Sequence, residues 1–429
     1  TAEQSPQEPA DDRLAALARA AAEVSQAPGA TAPPSNAAGP FRLLDISLGV
    51  MGAAGASTAP NSVLGTLQGG SHDAKRRGFT LQQAEIAVKG AIDPYLTGNM
   101  IVVTLLDPDT GETIVELEEA YVVTQQLPAG LQVKAGTYYT DFGRTNSRHP
   151  HQWDWMSQPV INTRLFGADG MRGPGARVAW LLPTEHYAEL YFGVQNANGE
   201  TMPSFLANEE VYDERAIGGR AFTMREVRGA GELAYTARVA TSFDVTASTS
   251  IAFGASAAFG PNATGADGET LIYGGDFVAK WRPEGAQRGY PFLKFEAEFL
   301  GRAFDAATQT DDSDPMNPVT LPGDTLEDRG GFASVVWGFA QGWATGLRGE
   351  YATGRGASYL ADSQSFDRSM DPFRTDRLRI TSMLAYKPSE FSRIRLEYGY
   401  DDSDHLRDPE HSVWLGFEFL IGNHPPHVY

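Results

Sequence analysis

Residues 377–421 read RLRITSMLAYKPSEFSRIRLEYGYDDSDHLRDPEHSVWLGFEFLI, and their pattern decides the fold. Leu378, Ile380, Leu384 and Tyr386 share one parity, while Arg377, Arg379 and Lys387 hold the other. Ile394, Leu396, Tyr398 and Tyr400 alternate with Arg393, Arg395 and Glu397. Val413, Leu415, Phe417, Phe419 and Ile421 alternate with Trp414, Gly416 and Glu418. A period of two puts successive side chains on opposite faces, so these are β-strands with one apolar and one polar face. Two architectures use such strands. A sandwich turns the apolar faces inward and wets the outer ones. A membrane barrel turns the apolar face to lipid and the charged face to a lumen.

The remainder of the chain favours the barrel. Similar segments recur at 41–52, 79–91, 95–106, 113–125, 131–142, 176–183, 186–196, 230–243, 249–260, 270–283, 290–304, 329–341 and 343–355. With the opening three, the total is about sixteen, an even number, as expected of single-chain bacterial barrels. The connections alternate between short and long. Short ones fall near Asp93-Pro94, Leu127 to Gly130, Thr184-Glu185, Gln341-Gly342 and Pro388 to Phe391. Long ones cover 53–78, 143–175, 197–229, 305–328 and 356–376, and the tight 108–112 turn is the exception. Short periplasmic turns and long extracellular loops are the habit of outer-membrane barrels. The expectation is a transmembrane antiparallel β-barrel over 41–429, with both termini on the periplasmic side. Aromatics near predicted strand ends, such as Tyr95, Tyr187, Tyr290, Trp343 and Tyr386, fit interfacial girdles.

Composition narrows the function. Lys plus Arg number 34 against 54 Asp plus Glu, a net charge of −20, which argues against nucleic-acid partners. With no cysteine, disulfides, thiolate metal sites and cysteine catalysis are excluded. No run approaches the ~18 apolar residues of a membrane helix, so any insertion uses strands. The chain begins at Thr1 rather than Met, and the expectation is a mature, processed form. Residues 1–40 are expected to be a periplasmic tail, Ala/Pro/Ser/Gly-rich around a short helix near 11–26 that Asp11 or Asp12 caps. That helix is read either as a frayed tail or as a docking helix for a periplasmic or cell-wall partner.

The segment GFTLQQAEIAVKGAIDPYLTGNM and the following VELEEAYVVTQQLPAGLQVKAGTYYTDFGRTN together carry a family pattern. An acidic-Ala-Tyr step (Glu119-Ala120-Tyr121) is followed by a Leu-Pro turn (Leu127-Pro128). A Lys-x-Gly strand (Lys134-Ala135-Gly136) then ends in Phe142-Gly143. Over Gly78–Asn146 the chain resembles the phosphate-selective porin class of Gram-negative outer membranes. The resemblance implies a sixteen-stranded, usually trimeric channel. The HPHQWDWMSQPVINTRLFGADGMRGPG insertion departs from that pattern, and the lumenal positions form no lysine-dense ladder.

The candidate site is the long 143–175 segment. It brings Arg144, Arg148, Arg164 and Arg172 together with Asp154 and Asp169. Folded into the lumen it narrows the pore; left outside it is a plain extracellular loop. The expected lumenal lining includes Lys134, Arg238, Lys280, Lys294, Arg348, Arg379, Arg393 and Arg395 with Glu296 and Glu397. His149, His151 and Asp154 form a candidate metal set, imidazole and carboxylate being ligands for zinc-like ions. Acidic loop clusters, Glu209-Glu210 and Asp311, Asp312 and Asp314, are candidates for Ca²⁺ or for bridging to lipopolysaccharide. Neither Gly-x-Ser-x-Gly nor His-Glu-x-x-His occurs, so no catalytic site is expected. The expected function is passive diffusion of small hydrophilic solutes or ions. The alternative is a non-conducting barrel that anchors a periplasmic, cell-wall or surface-layer partner.

Overall fold

The computed structural model describes residues 44–107, 110–311, 316–360 and 363–422; the expected tail helix lies outside them. Sixteen antiparallel strands close into one barrel, each paired with its neighbour in sequence and the first with the last. The first eight are β1 (Leu44–Ser57), β2 (Gly78–Ala91), β3 (Leu96–Leu106), β4 (Thr113–Thr124), β5 (Leu131–Tyr139), β6 (Arg172–Leu181), β7 (Tyr187–Asn196) and β8 (Leu233–Thr246). The others are β9 (Thr249–Pro261), β10 (Glu269–Trp281), β11 (Phe292–Ala306), β12 (Asp324–Ala340), β13 (Trp343–Arg355), β14 (Arg377–Ser389), β15 (Ser392–Ser403) and β16 (Glu410–Gly422). Closure leaves no strand edge unpaired.

The faces sort as alternation requires. Leu415 is 48 % exposed and Ile394 45 %, whereas Arg395 is 2 % and Glu418 4 % exposed. The charged parity therefore points into the barrel and the apolar parity out of it. A charge in the hydrocarbon centre costs at least ~2.5–3.5 kcal/mol, so this orientation suits a bilayer. Among the described residues no helix is long and apolar enough to cross a membrane; the strands do so.

Short turns gather at one rim, for example 92–95, 247–248 and 341–342. The other rim carries 58–77, 140–171, 197–232 and 356–376, with three short helices: α1 (Asn61–Leu67), α2 (Val160–Phe166) and α3 (Glu209–Glu214). Segment 140–171 turns into the barrel. Phe142, Val160, Ile161, Leu165 and Phe166 from it pack with Met202, Phe205 and Leu206 from 197–232. Inward-facing Ala234, Ala258, Ile272, Leu300 and Ala352 of the wall belong to the same cluster. The long-loop half of the lumen thus holds an apolar cluster beside buried ion pairs such as Arg302–Asp328 and Arg374–Asp328, where the sequence suggested a mixed-charge lining. The inserted segments bring their own apolar side chains. Each fully buried Leu or Phe contributes about 1.5–3 kcal/mol, and the wall residues packed against this cluster are apolar.

A β-bulge interrupts the pairing of β3 with β4. Ile101 pairs with Glu119, but Val102 pairs with Leu117, leaving Glu118 as the extra residue on β4. A two-against-one bulge breaks the alternation. As a result Glu118 and Glu119, adjacent in sequence, are both buried on the inner side.

Candidate functional site

The inward turn begins at Gly143, whose φ is +60° and whose missing Cβ would lie 2.7 Å from the Glu298 carboxylate. That carboxylate fixes the entering chain. Oε2 of Glu298 accepts from the backbone N–H of Arg144 (2.8 Å) and of Thr145 (3.0 Å), and Oε1 accepts from Asn162 Nδ2 (3.1 Å). Further on, Met156 N donates to Glu397 (2.8 Å) and Val160 N to Glu350 (2.7 Å). Arg393 donates to the carbonyls of His151 and Trp153, Arg395 to Trp155, and Arg348 to Ser157. Segment 140–171 is therefore held across the lumen by β11, β13 and β15. Of the two readings left open for it, the inward-folded one is what the structure shows.

These contacts divide the predicted lining into two groups. Arg348, Arg379, Arg393, Arg395 and Glu397 are anchors rather than open lining. Arg379 pairs with Asp401 (2.9 Å) and holds the Leu67 carbonyl at the end of α1; Arg393 pairs with Glu418 (2.5 Å). Arg164 donates to the carbonyls of Arg374 and Thr375, and burial pushes its guanidinium down to about 10. Arg172 pairs with Glu116 and lies 3.6 Å from Glu118. Lys134 lies over the rings of Tyr121 and Tyr138, at 4.8 and 5.1 Å. Asp169 is half-buried. Of the calcium candidates, Glu209 and Glu210 occupy the first turn of α3, where negative charge suits the helix dipole. Asp311 accepts from Ser363 (2.8 Å), and Asp312 and Asp314 lie outside the described residues.

The second group surrounds a cavity. Beneath the inward segment, toward the short-turn rim, is a cavity of about 370 Å³. Arg144, Arg148, Arg238 and Lys280 line it together with Asp141, Glu189 and Asp276. Arg238 pairs with Asp276 at 2.6 Å and Arg148 with Glu296 at 3.0 Å. Burial and the neighbouring Arg148 push the Arg144 guanidinium down to about 10. Next to this chamber Lys294 bridges Asp154 and Glu296.

Asp154 is therefore not a partner of the two histidines. His149 and His151 stack with ring centroids 5.7 Å apart, but their neighbours are carboxylates of the wall. His149 Nδ1 lies 3.0 Å from Glu118 and 3.6 Å from Glu85; its Nε2 lies 3.1 Å from Glu119. His151 Nδ1 lies 3.2 Å from Glu85, and His72 Nε2 3.7 Å from Glu118. Burial alone would lower the His149 pKa, but Glu118, Glu119 and Glu85 carry it well above the ordinary imidazole range. Glu118, Glu119 and His72 were not singled out in the sequence as parts of this cluster. Alternation puts Glu118 and Glu119 on opposite faces, and only the bulge unites them.

The chain is 30 % identical over 375 residues to an uncharacterized protein of Aquifex aeolicus (strain VF5), covering 83 % of this chain and 71 % of that one. It belongs to that protein's family. No profile of a known protein family matches the chain. Among solved structures it is similar to the outer membrane channel DcaP of Acinetobacter baumannii (TM-score 0.54, 10 % identity, 88 % of this chain and 97 % of that one). It is also similar to Pseudomonas putida OprB (TM-score 0.51, 10 % identity, 89 % and 94 %). These likenesses show the fold: this member of the Aquifex protein's family folds as those outer-membrane barrels do.

Proposed function

We propose that the chain is a passive channel for small hydrophilic solutes or ions across the outer membrane. The charged chamber beneath segment 140–171 supports this reading most: its cations and carboxylates face water inside a lipid-facing barrel. Lumenal charge replaces part of a solute's hydration shell, and the inward segment sets the size limit. Four cations (Arg144, Arg148, Arg238, Lys280) and three carboxylates line the chamber, and Glu296 beside it pairs with Arg148; an anion preference of this mixed-charge chamber would match the phosphate-selective class resembled. No catalytic step is required. We further propose a homotrimer, which the mass of the detergent-solubilised protein would test. Reversal potentials across a salt gradient test the channel: anion preference supports it, and absence of conductance contradicts it.

The packing of segments 140–171 and 197–232 into the long-loop half of the lumen favours a second reading, a non-conducting barrel that anchors a partner through residues 1–40. Deleting 1–40 separates the two, because a pore keeps its conductance while an anchor loses its partner.

A further inference from the structure

We propose that the buried His149 cluster is a site for one divalent first-row transition ion, zinc-like in its preferences, tying the inward segment to the barrel wall. The ligands are His149, Glu85 and Glu118, each with a donor atom within 4.8 Å of the others; His149 Nδ1 faces both Glu118 Oε2 and Glu85 Oε2. His151 Nδ1 stands beside them, 3.2 Å from Glu85 Oε2.

The spacing fits the chemistry. Bonds of ~2.0–2.1 Å in a tetrahedron place neighbouring donors roughly 3.4 Å apart. Here His149–Glu118, His149–Glu85 and His151–Glu85 are separated by 3.0, 3.6 and 3.2 Å. Two imidazoles and two carboxylates suit zinc and its neighbours better than the hard, oxygen-seeking calcium or magnesium.

The surroundings orient each donor. A ligating histidine usually gives its other ring N–H to a carboxylate, and Glu119 Oε2 waits 3.1 Å from His149 Nε2. Tyr139 Oη donates to Oε1 of Glu118 (2.6 Å), leaving Oε2 for the ion. Gln83 Nε2 donates to Glu85 Oε2 (3.3 Å). The backbone N–H of Tyr139 donates to Glu119 Oε1 (3.0 Å), fixing the carboxylate that fixes the histidine. Three buried carboxylates, Glu85, Glu118 and Glu119, converge here, and a doubly charged ion offsets them. The ligands come from β2, β4 and the inward segment, so the ion cross-links wall and segment at mid-lumen.

The test uses the full chain in detergent micelles after removal of metal with a chelator. Co²⁺ titration followed by visible absorbance, with Zn²⁺ competition, should show saturation at one ion per chain. H149Q and E118Q should each weaken binding roughly ten- to a hundredfold, while H411Q, at a rim far from the cluster, should leave it unchanged. If E118Q does not fold, E85Q carries the same expectation. Absence of binding, or one-to-one binding that survives H149Q together with E85Q, overturns the site. Conductance is not read, so failure of the channel proposal leaves this result standing.

Discussion

At the scale of single residues, most lumenal charges hold protein and a few face the chamber, and the two kinds should respond differently to substitution. Glu298→Ala strips the acceptor from two buried backbone N–H groups, each costing ~1–3 kcal/mol when unsatisfied. Proteolysis should then cut segment 140–171 faster than in the parent, and unchanged protection would contradict its role as anchor. Arg144→Gln with Arg148→Gln removes charge from the chamber instead. The reversal potential should move toward cation preference, with Glu296 still held by Lys294. His405 supplies a pH dependence: burial, then Arg377 and Arg164, push its imidazole down to about 4. Because its folded value lies below the unfolded ~6.5, its stabilising contribution is full above that pH. The contribution fades as pH falls from about 6.5 toward 4. An NMR titration should give a midpoint near 4, and a midpoint near 6.5 would refute the burial argument. The paired charges of the wall were legible as inward-facing, but their partners were not. Arg393 and Trp153 are 240 positions apart, a distance over which strand periodicity carries no information.

At the scale of elements, the strands were read almost in place because a lipid face and a wet face enforce strict alternation. The exceptions have local causes. β6 begins at Arg172 rather than near 176, since Gly173, Pro174 and Gly175 hide a strand signal that pairing with β5 supplies. The inward segment was visible as an insertion, but its destination depends on Gly143 and Glu298 meeting in space. Gly143→Ala places a side chain at φ +60° and into the Glu298 carboxylate. It should cost roughly 1–2 kcal/mol for backbone strain alone and lower the thermal midpoint of the segment's release. The β4 bulge is the least legible feature of all. Deleting Glu118 restores the alternation with Glu119 still inward, and should keep the barrel folded while removing the carboxylate 3.0 Å from His149 Nδ1, visible as faster hydrogen exchange around 149–152.

At the scale of the whole molecule, one physical division governs everything: a greasy outer belt, an inner wall that carries the charges, and a chamber where the inward segment leaves room. The native chain has no cysteine, so a single introduced thiol reports its own environment. Ser250 lines the chamber, and Leu396, 47 % exposed, belongs to the outer belt. The decisive measurement is single-channel current from Ser250→Cys and Leu396→Cys in a planar bilayer as an anionic, membrane-impermeant thiol reagent is added. Current through Ser250→Cys should fall stepwise on modification while Leu396→Cys is untouched. Equal reactivity at the two positions, or a Ser250→Cys current indifferent to modification, would overturn the division of wet lumen from lipid-facing belt.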